Sequence, residues 1–275
     1  MRYILLDMKK LFHSRMVRIL LWIVALVVVA NPISLKILNR PHVSQVGENG
    51  YQYWILMNQA GWGMTFFWSF LELFPVMITG MVFYEERRGS FYEMSVIRGE
   101  RRRYLWSKAL AVFLMAFGCF FGLLLVNLLV TNLLFSPTAP HTDIYESLIP
   151  SEQIFVYELF RISPILMEIT YSFLNALLIA SMAVIAVGLH MLVHISNRMY
   201  MILLTYGAMR GMNFLIGHLL RYHPEYNPYM IIQPAVSYAT NYRITWGHVA
   251  VSYGVLLVIA VFLVWIGVER NREVI

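Results

Sequence analysis

Long apolar runs decide what this chain can fold into: there are six, at about 16–38, 62–84, 106–135, 162–189, 199–220 and 248–268. A helix of about 20 apolar residues spans a hydrocarbon core about 30 Å thick. In lipid each backbone N–H and C=O must find its partner inside the protein, so runs of this length are read as helices. The six runs and their connections use almost all of the 275 residues and leave no room for a soluble catalytic domain. Only 13% of residues are charged and the mean hydropathy is +0.63, against about 25% charged in an ordinary soluble domain. The expected fold is all-α and integral to a membrane: residues 1–275 form a single domain of six transmembrane helices.

The net charge of +6 raises the question of nucleic acid, and its distribution answers it. With the N-terminus inside, the cytoplasmic side receives Arg2, Lys9, Lys10, Arg15, Arg18, seven basic residues of segment 85–108, Arg198, Arg270 and Arg272, fifteen in all. The outer side receives five, Lys36, Arg40, Arg161, Arg221 and Arg243, and Arg210 lies within a run. That is the positive-inside bias, which puts both termini in the cytoplasm and makes the basic excess a topology signal. No nucleic-acid partner is expected. The single cysteine, Cys119, allows no intrachain disulfide and no cysteine-based metal motif. The first run is too long for the core of a signal peptide, and five more follow it, so cleavage is not expected.

Between the runs, residues 1–15 read as an amphipathic helix lying in the membrane interface. Leu5, Met8 and Phe12, with Ile4 and Leu11 beside them, form the apolar side, and Asp7, Lys10 and Ser14 the opposite, wet side. The outer loop 39–61 is short and polar; the outer loop 136–161 is acidic and interrupted by Pro137, Pro140 and Pro150. Residues 212–246 are semi-apolar, broken by Gly217, Pro224, Pro228 and Pro234, and rich in tyrosine, which favours the interface. They read as short re-entrant or interfacial helices on the outer face. Gly118 and Gly122, Ala176 and Ala180, and Gly207 and Gly211 have the spacing that lets helices approach closely in lipid.

Glu72, Glu168 and Arg210 are ionisable residues within the runs. Such charges face the bundle interior or a wet cavity, either on a substrate path or proton relay, or as a structural ion pair such as Glu72 with Arg210. His190 and His194 share a helix face, but no third ligand lies near them in sequence, so no metal is expected. No catalytic residue is expected either. The chain lacks Gly-x-Ser-x-Gly, His-Glu-x-x-His and the phosphate-cradling Gly-x-x-x-x-Gly-Lys-[Ser/Thr]. Any ATP hydrolysis therefore belongs to another polypeptide.

The segment 85–108 is an island of both charge signs between the second and third runs. Gly89 stops one helix, Ser90 and Glu93 fit the capping box that opens another, and Gly99 ends it. Phe91, Met94, Val96 and Ile97 give this short helix an apolar side. Glu85, Gly89 and Ser90, with Lys108 at the next span, resemble the first cytoplasmic loop of the membrane subunits of type-2 ABC exporters. Val96-Ile97-Arg98 and Gly99-Glu100-Arg101 stand where that family has its proline-to-arginine turn, here without the proline. The likeness extends to the layout of an interfacial N-terminal helix, six spans and a broken apolar segment before the last.

The resemblance implies a permease subunit in a bacterial cell membrane, exporting an apolar or amphipathic substrate such as a peptide, a drug or a lipid. Loop 85–105 would then carry a coupling helix docked on a separate ABC ATPase, which binds the ATP and Mg. Its expected contacts are Glu86, Gly89, Ser90, Phe91, Glu93, Met94, Arg98, Glu100, Arg101, Arg102, Arg103 and Lys108. A second permease subunit, identical or related, completes the assembly. The alternative, of a different class, is a non-transporting sensor subunit or an intramembrane enzyme built on Glu72 or Glu168.

Overall fold

A computed structural model describes residues 2–38, 50–57, 62–79, 101–135, 152–193, 197–234 and 243–270. In chain order the helices are α1 (Arg2–His13), α2 (Arg15–Leu38), α3 (Gly50–Tyr53), α4 (Trp62–Phe70) and α5 (Leu73–Thr79). They continue with α6 (Arg101–Leu134), α7 (Tyr157–Ile162), α8 (Pro164–Leu192), α9 (Arg198–Leu219), α10 (Pro228–Ile231) and α11 (Trp246–Arg270). There is no strand among the described residues, only an isolated bridge between Ile154 and Ile244. The all-α reading holds. By length and apolarity α2, α6, α8 and α11 can cross a membrane, and α4 with α5 makes a fifth if the bent pair counts as one span. The run at 199–220 is helical as α9, but with Arg198 and Arg210 in it this helix is not among those apolar enough.

Helix α8 is the axis. Its most apolar window is 83% buried, against 33–39% for the other three long helices, so it is wrapped by protein while they keep an outward side. It starts cleanly because Pro164 occupies the first helical position, where a missing N–H costs nothing. Against α11 the approach is very close: a Cβ on Gly188 would meet Leu263 at 2.8 Å, and one on Gly267 would meet Met191 at 2.6 Å. Neither glycine belongs to the small-residue spacings read from the sequence. Gly118, Gly122, Gly207 and Gly211, which do, have nothing within 4 Å of an added Cβ. Ala176 and Ala180 are buried, as close packing asks.

Polar side chains stitch the bundle where proline opens it. Pro32 inside α2 offers no N–H to the Val28 carbonyl four residues earlier. Asn127 of α6 supplies the donor, its Nδ2 reaching that carbonyl at 2.7 Å. The same side chain accepts from the Ile55 N–H at 3.2 Å. Asn31 of α2 accepts from the Gly63 N–H at 3.2 Å, at the start of α4, where helix donors have no intrahelical partner. Trp62 adds a bond from Nε1 to the Ser34 hydroxyl at 2.8 Å.

Two segments differ from expectation. The loop expected to be short and polar carries Tyr51, Trp54, Ile55, Leu56 and Met57 into the core; five large apolar side chains in seven residues outweigh the polar flanks. In α1, Asp7, Leu11 and Ser14 are the buried side and face the bundle, while Leu5, Leu6 and Phe12 point outward. Of the expected wet face, Asp7 and Ser14 are therefore buried, on a helix that packs chiefly on α6, while Lys10 stays exposed. Residues 212–219 belong to α9, and the broken stretch begins after it, with a 3-10 turn at Pro224–Tyr226 and the short helix α10, capped by Asn227 accepting from the Tyr229 N–H.

Candidate functional site

The second apolar run contains Pro75, and it is not one straight helix. A proline lacks the N–H for the carbonyl four residues back and its ring collides with it; here that carbonyl belongs to Leu71. Helix opens at Leu71 and Glu72, and α4 and α5 meet at a bend of 51°. The break turns Glu72 inward, where it is only 1% exposed. Arg210 of α9 donates from Nη1 to Glu72 Oε1 at 2.9 Å, and Asn213 donates from Nδ2 to the same oxygen at 2.6 Å.

Arg210 and Asn213 are three residues apart and share a face of α9, so one carboxylate is held by two teeth of one helix. Such charge-assisted bonds are the stronger kind. Glu72 Oε2 is buried with no hydrogen-bond partner among the described residues. The arginine side chain is 59% exposed, and Tyr206 and Tyr229 lie in its electrostatic neighbourhood. The arrangement fastens α9 to the broken helix and shows a guanidinium on its outer side. It contains no nucleophile beside a base.

Glu168 lies on α8, buried, and bonds the Asn132 side chain of α6. Glu72 and Glu168 thus engage different partners. His190 Nε2 meets the Thr205 hydroxyl at 2.8 Å, and that hydroxyl donates to the Met201 carbonyl. The oxygen therefore accepts from the imidazole, in a buried contact between α8 and α9. His194 lies outside the described residues. Among the described residues no group of three or more His, Cys, Asp or Glu could hold a metal ion.

Most of the charged island lies outside the described residues: Glu86, Gly89, Ser90, Phe91, Glu93, Met94, Arg98 and Glu100 all fall there. Its last part is visible as helix. Arg101, Arg102 and Arg103 form the first turn of α6 rather than a loop. Arg102 approaches Glu269 of α11 at 3.7 Å with both partners partly exposed, a contact worth little by itself. Lys108, expected to touch an ATPase, is 2% exposed and faces Asp7 of α1. Asp7 is equally buried, at 4%. Burial pushes its carboxyl above the ordinary range, and Lys108 and Lys10 pull it back. Lys10 is lowered by its own burial, offset by Asp7.

Sequence reading missed the asparagines. Asn31, Asn127, Asn132 and Asn213 each serve a buried acceptor or donor between helices. The available signal was their place in or beside apolar runs, where a polar side chain needs a partner. Pro75 was a second signal, marking in advance where Glu72 would leave the helix. Comparison with family models, with curated proteins and with solved structures finds no match to this chain.

Proposed function

We propose that this chain is the membrane subunit of a type-2 ABC exporter, working with a separate ATPase and a second permease subunit. In this reading α9 and the bent α4–α5 pair join the four long helices as spans, giving six. Both termini lie in the cytoplasm of a bacterial cell, and α1 lies along the inner surface of its membrane. ATP and Mg bind the partner ATPase, and the cargo is apolar or amphipathic.

The observation that carries the reading is the join between the charged island and the bundle. Helix α6 takes in the last part of the island, from Arg101, and runs 34 residues without a break. Helix α1 is docked on its first turns, with the buried Asp7 facing the buried Lys108. A push on residues 90–99 would therefore enter α6 and α1 together, at a stiff point. The Glu72–Arg210 contact then holds α9 to a helix that is already broken, a joint suited to rocking of one group of helices against another.

The test is co-purification in mild detergent. A tagged chain should bring down a protein carrying a Walker A motif, the phosphate-binding loop that this chain lacks. Phe91→Ala and Met94→Ala should each weaken that association. Recovery of the chain with no such protein, under conditions that preserve membrane complexes, would refute the assignment.

A further inference from the structure

A groove of about 640 Å³ runs between α1, α2 and α6, within the range of about 300–1,000 Å³ typical of ligand pockets. Its floor is α6 at Gly118 and Gly122, one turn apart, and its walls include Trp22 of α2 and Met8 and Phe12 of α1. Nothing lies within 4 Å of where a Cβ on either glycine would stand, so the floor is left open at these two positions. Apolar walls facing nothing forfeit their dispersion contacts. Something of hydrocarbon character fills such a hollow.

One lining residue is charged. Arg18 sits on the same face of α2 as Trp22, one turn nearer α1. It is exposed, and its side chain makes no hydrogen bond or ion pair with the described residues, unlike those of the neighbouring Lys10 and Lys108. A guanidinium matches a phosphate with two parallel bonds. Basic pockets between helices on the cytoplasmic side are where anionic headgroups settle. A cation at one end of an apolar trough is complementary to one kind of molecule, an anionic amphiphile.

We propose that this groove seats an acyl chain of an anionic membrane phospholipid, with Gly118 and Gly122 as its floor and Arg18 holding its phosphate. The assignment needs the chain to cross a bilayer and does not need the transport reading. A second copy of the chain is the other candidate. A twofold contact brings the same surface patch from both subunits together, which would set Arg18 against its own duplicate.

The full-length protein in dodecyl maltoside, titrated with phosphatidylglycerol or phosphatidylcholine brominated on the acyl chain, gives the test. The readout is quenching of Trp22, isolated by subtracting the signal of Trp22→Phe. Phosphatidylglycerol should quench at a concentration about fivefold lower than phosphatidylcholine, as expected for one cation near an anionic lipid. Arg18→Gln should erase that preference and leave the weaker quenching in place. Gly118→Leu with Gly122→Leu should abolish quenching by both lipids while the helical circular dichroism is unchanged; Gly118→Ala, a smaller filling, should reduce it in part. Equal half-saturation for the two lipids in the unaltered protein would overturn the phosphate assignment. Unchanged quenching in the leucine variant, or a Trp22 shielded from both lipids in a chain that cross-links to a second copy through Cys119, would overturn the groove itself.

Discussion

Asn127 of α6 supplies at 2.7 Å the hydrogen bond that Pro32 withholds from the Val28 carbonyl. A proline in one long apolar helix is thus answered by an asparagine in another. The answer is shared, because the same side chain also receives the Ile55 N–H. Asn127→Leu is expected to cost about 1–3 kcal/mol, the penalty for buried groups left without partners. Pro32→Ala restores an N–H to Val28, so the asparagine should matter less in that background. A double-mutant cycle by thermal unfolding in detergent checks this, and strictly additive losses would sever Pro32 from Asn127.

The Glu72–Arg210 contact predicts an asymmetry. Arg210→Ala leaves a buried carboxylate with Asn213 alone. Losing one partner of a fully buried pair costs about 3–5 kcal/mol; with Arg210 at 59% exposure water screens the pair, and about 2 kcal/mol is expected. Glu72→Gln leaves no buried charge and keeps an oxygen for Asn213, so it should cost less. Chemical denaturation of the two variants compares them directly, and equal losses would contradict the account.

The glycines divide by what surrounds them. Gly188→Ala and Gly267→Ala force α8 and α11 apart and should each cost about 1–3 kcal/mol, as overpacking does. Gly118→Ala and Gly207→Ala meet open space and should be neutral or stabilising by up to about 1 kcal/mol, from helix propensity alone. Melting temperatures of the four variants would show this ordering, and the reverse ordering would mean that the α8–α11 approach is looser than described.

Asp7 predicts a pH effect with a definite sign. Its folded carboxyl titrates above the ordinary value of 3.8 because burial against α6 outweighs the opposing pull of Lys108 and Lys10. The folded state therefore binds the proton more tightly than the unfolded chain. The resulting contribution is complete below the ordinary value and is lost as pH rises through the raised one. Relative to Asp7→Asn, the unaltered protein should lose stability over that window, and parallel melting-temperature curves across it would refute the assignment.

The apolar runs made the helices legible because lipid-spanning length is written directly in composition. Where local chemistry competes, legibility fell. Pro75 broke a run that looked continuous, and that break is what brings Glu72 to Arg210. Trp54 and its neighbours lay in a stretch too short to read as a span, although they belong to the core. Asp7 and Ser14 turned inward where the sequence suggested a wet side, because a wet side and a side that meets a buried lysine look alike in one dimension. Glycine spacing misled for a related reason: it records where helices can approach, and Gly188 and Gly267 owe their closeness to partners, Met191 and Leu263, that no local spacing reveals.

The enclosure of α8 has a consequence for how the fold is completed. Asn175 on this helix donates to the Ile232 carbonyl at 3.1 Å, and the Leu174 carbonyl accepts from the Tyr253 hydroxyl at 2.9 Å. Both partners follow α8 in the chain. Until α10 and α11 follow, the central helix has one long flank uncovered. The enclosure of α8 is therefore completed from the C-terminal side, and a chain ending before residue 246 would lack the cover that α11 gives it.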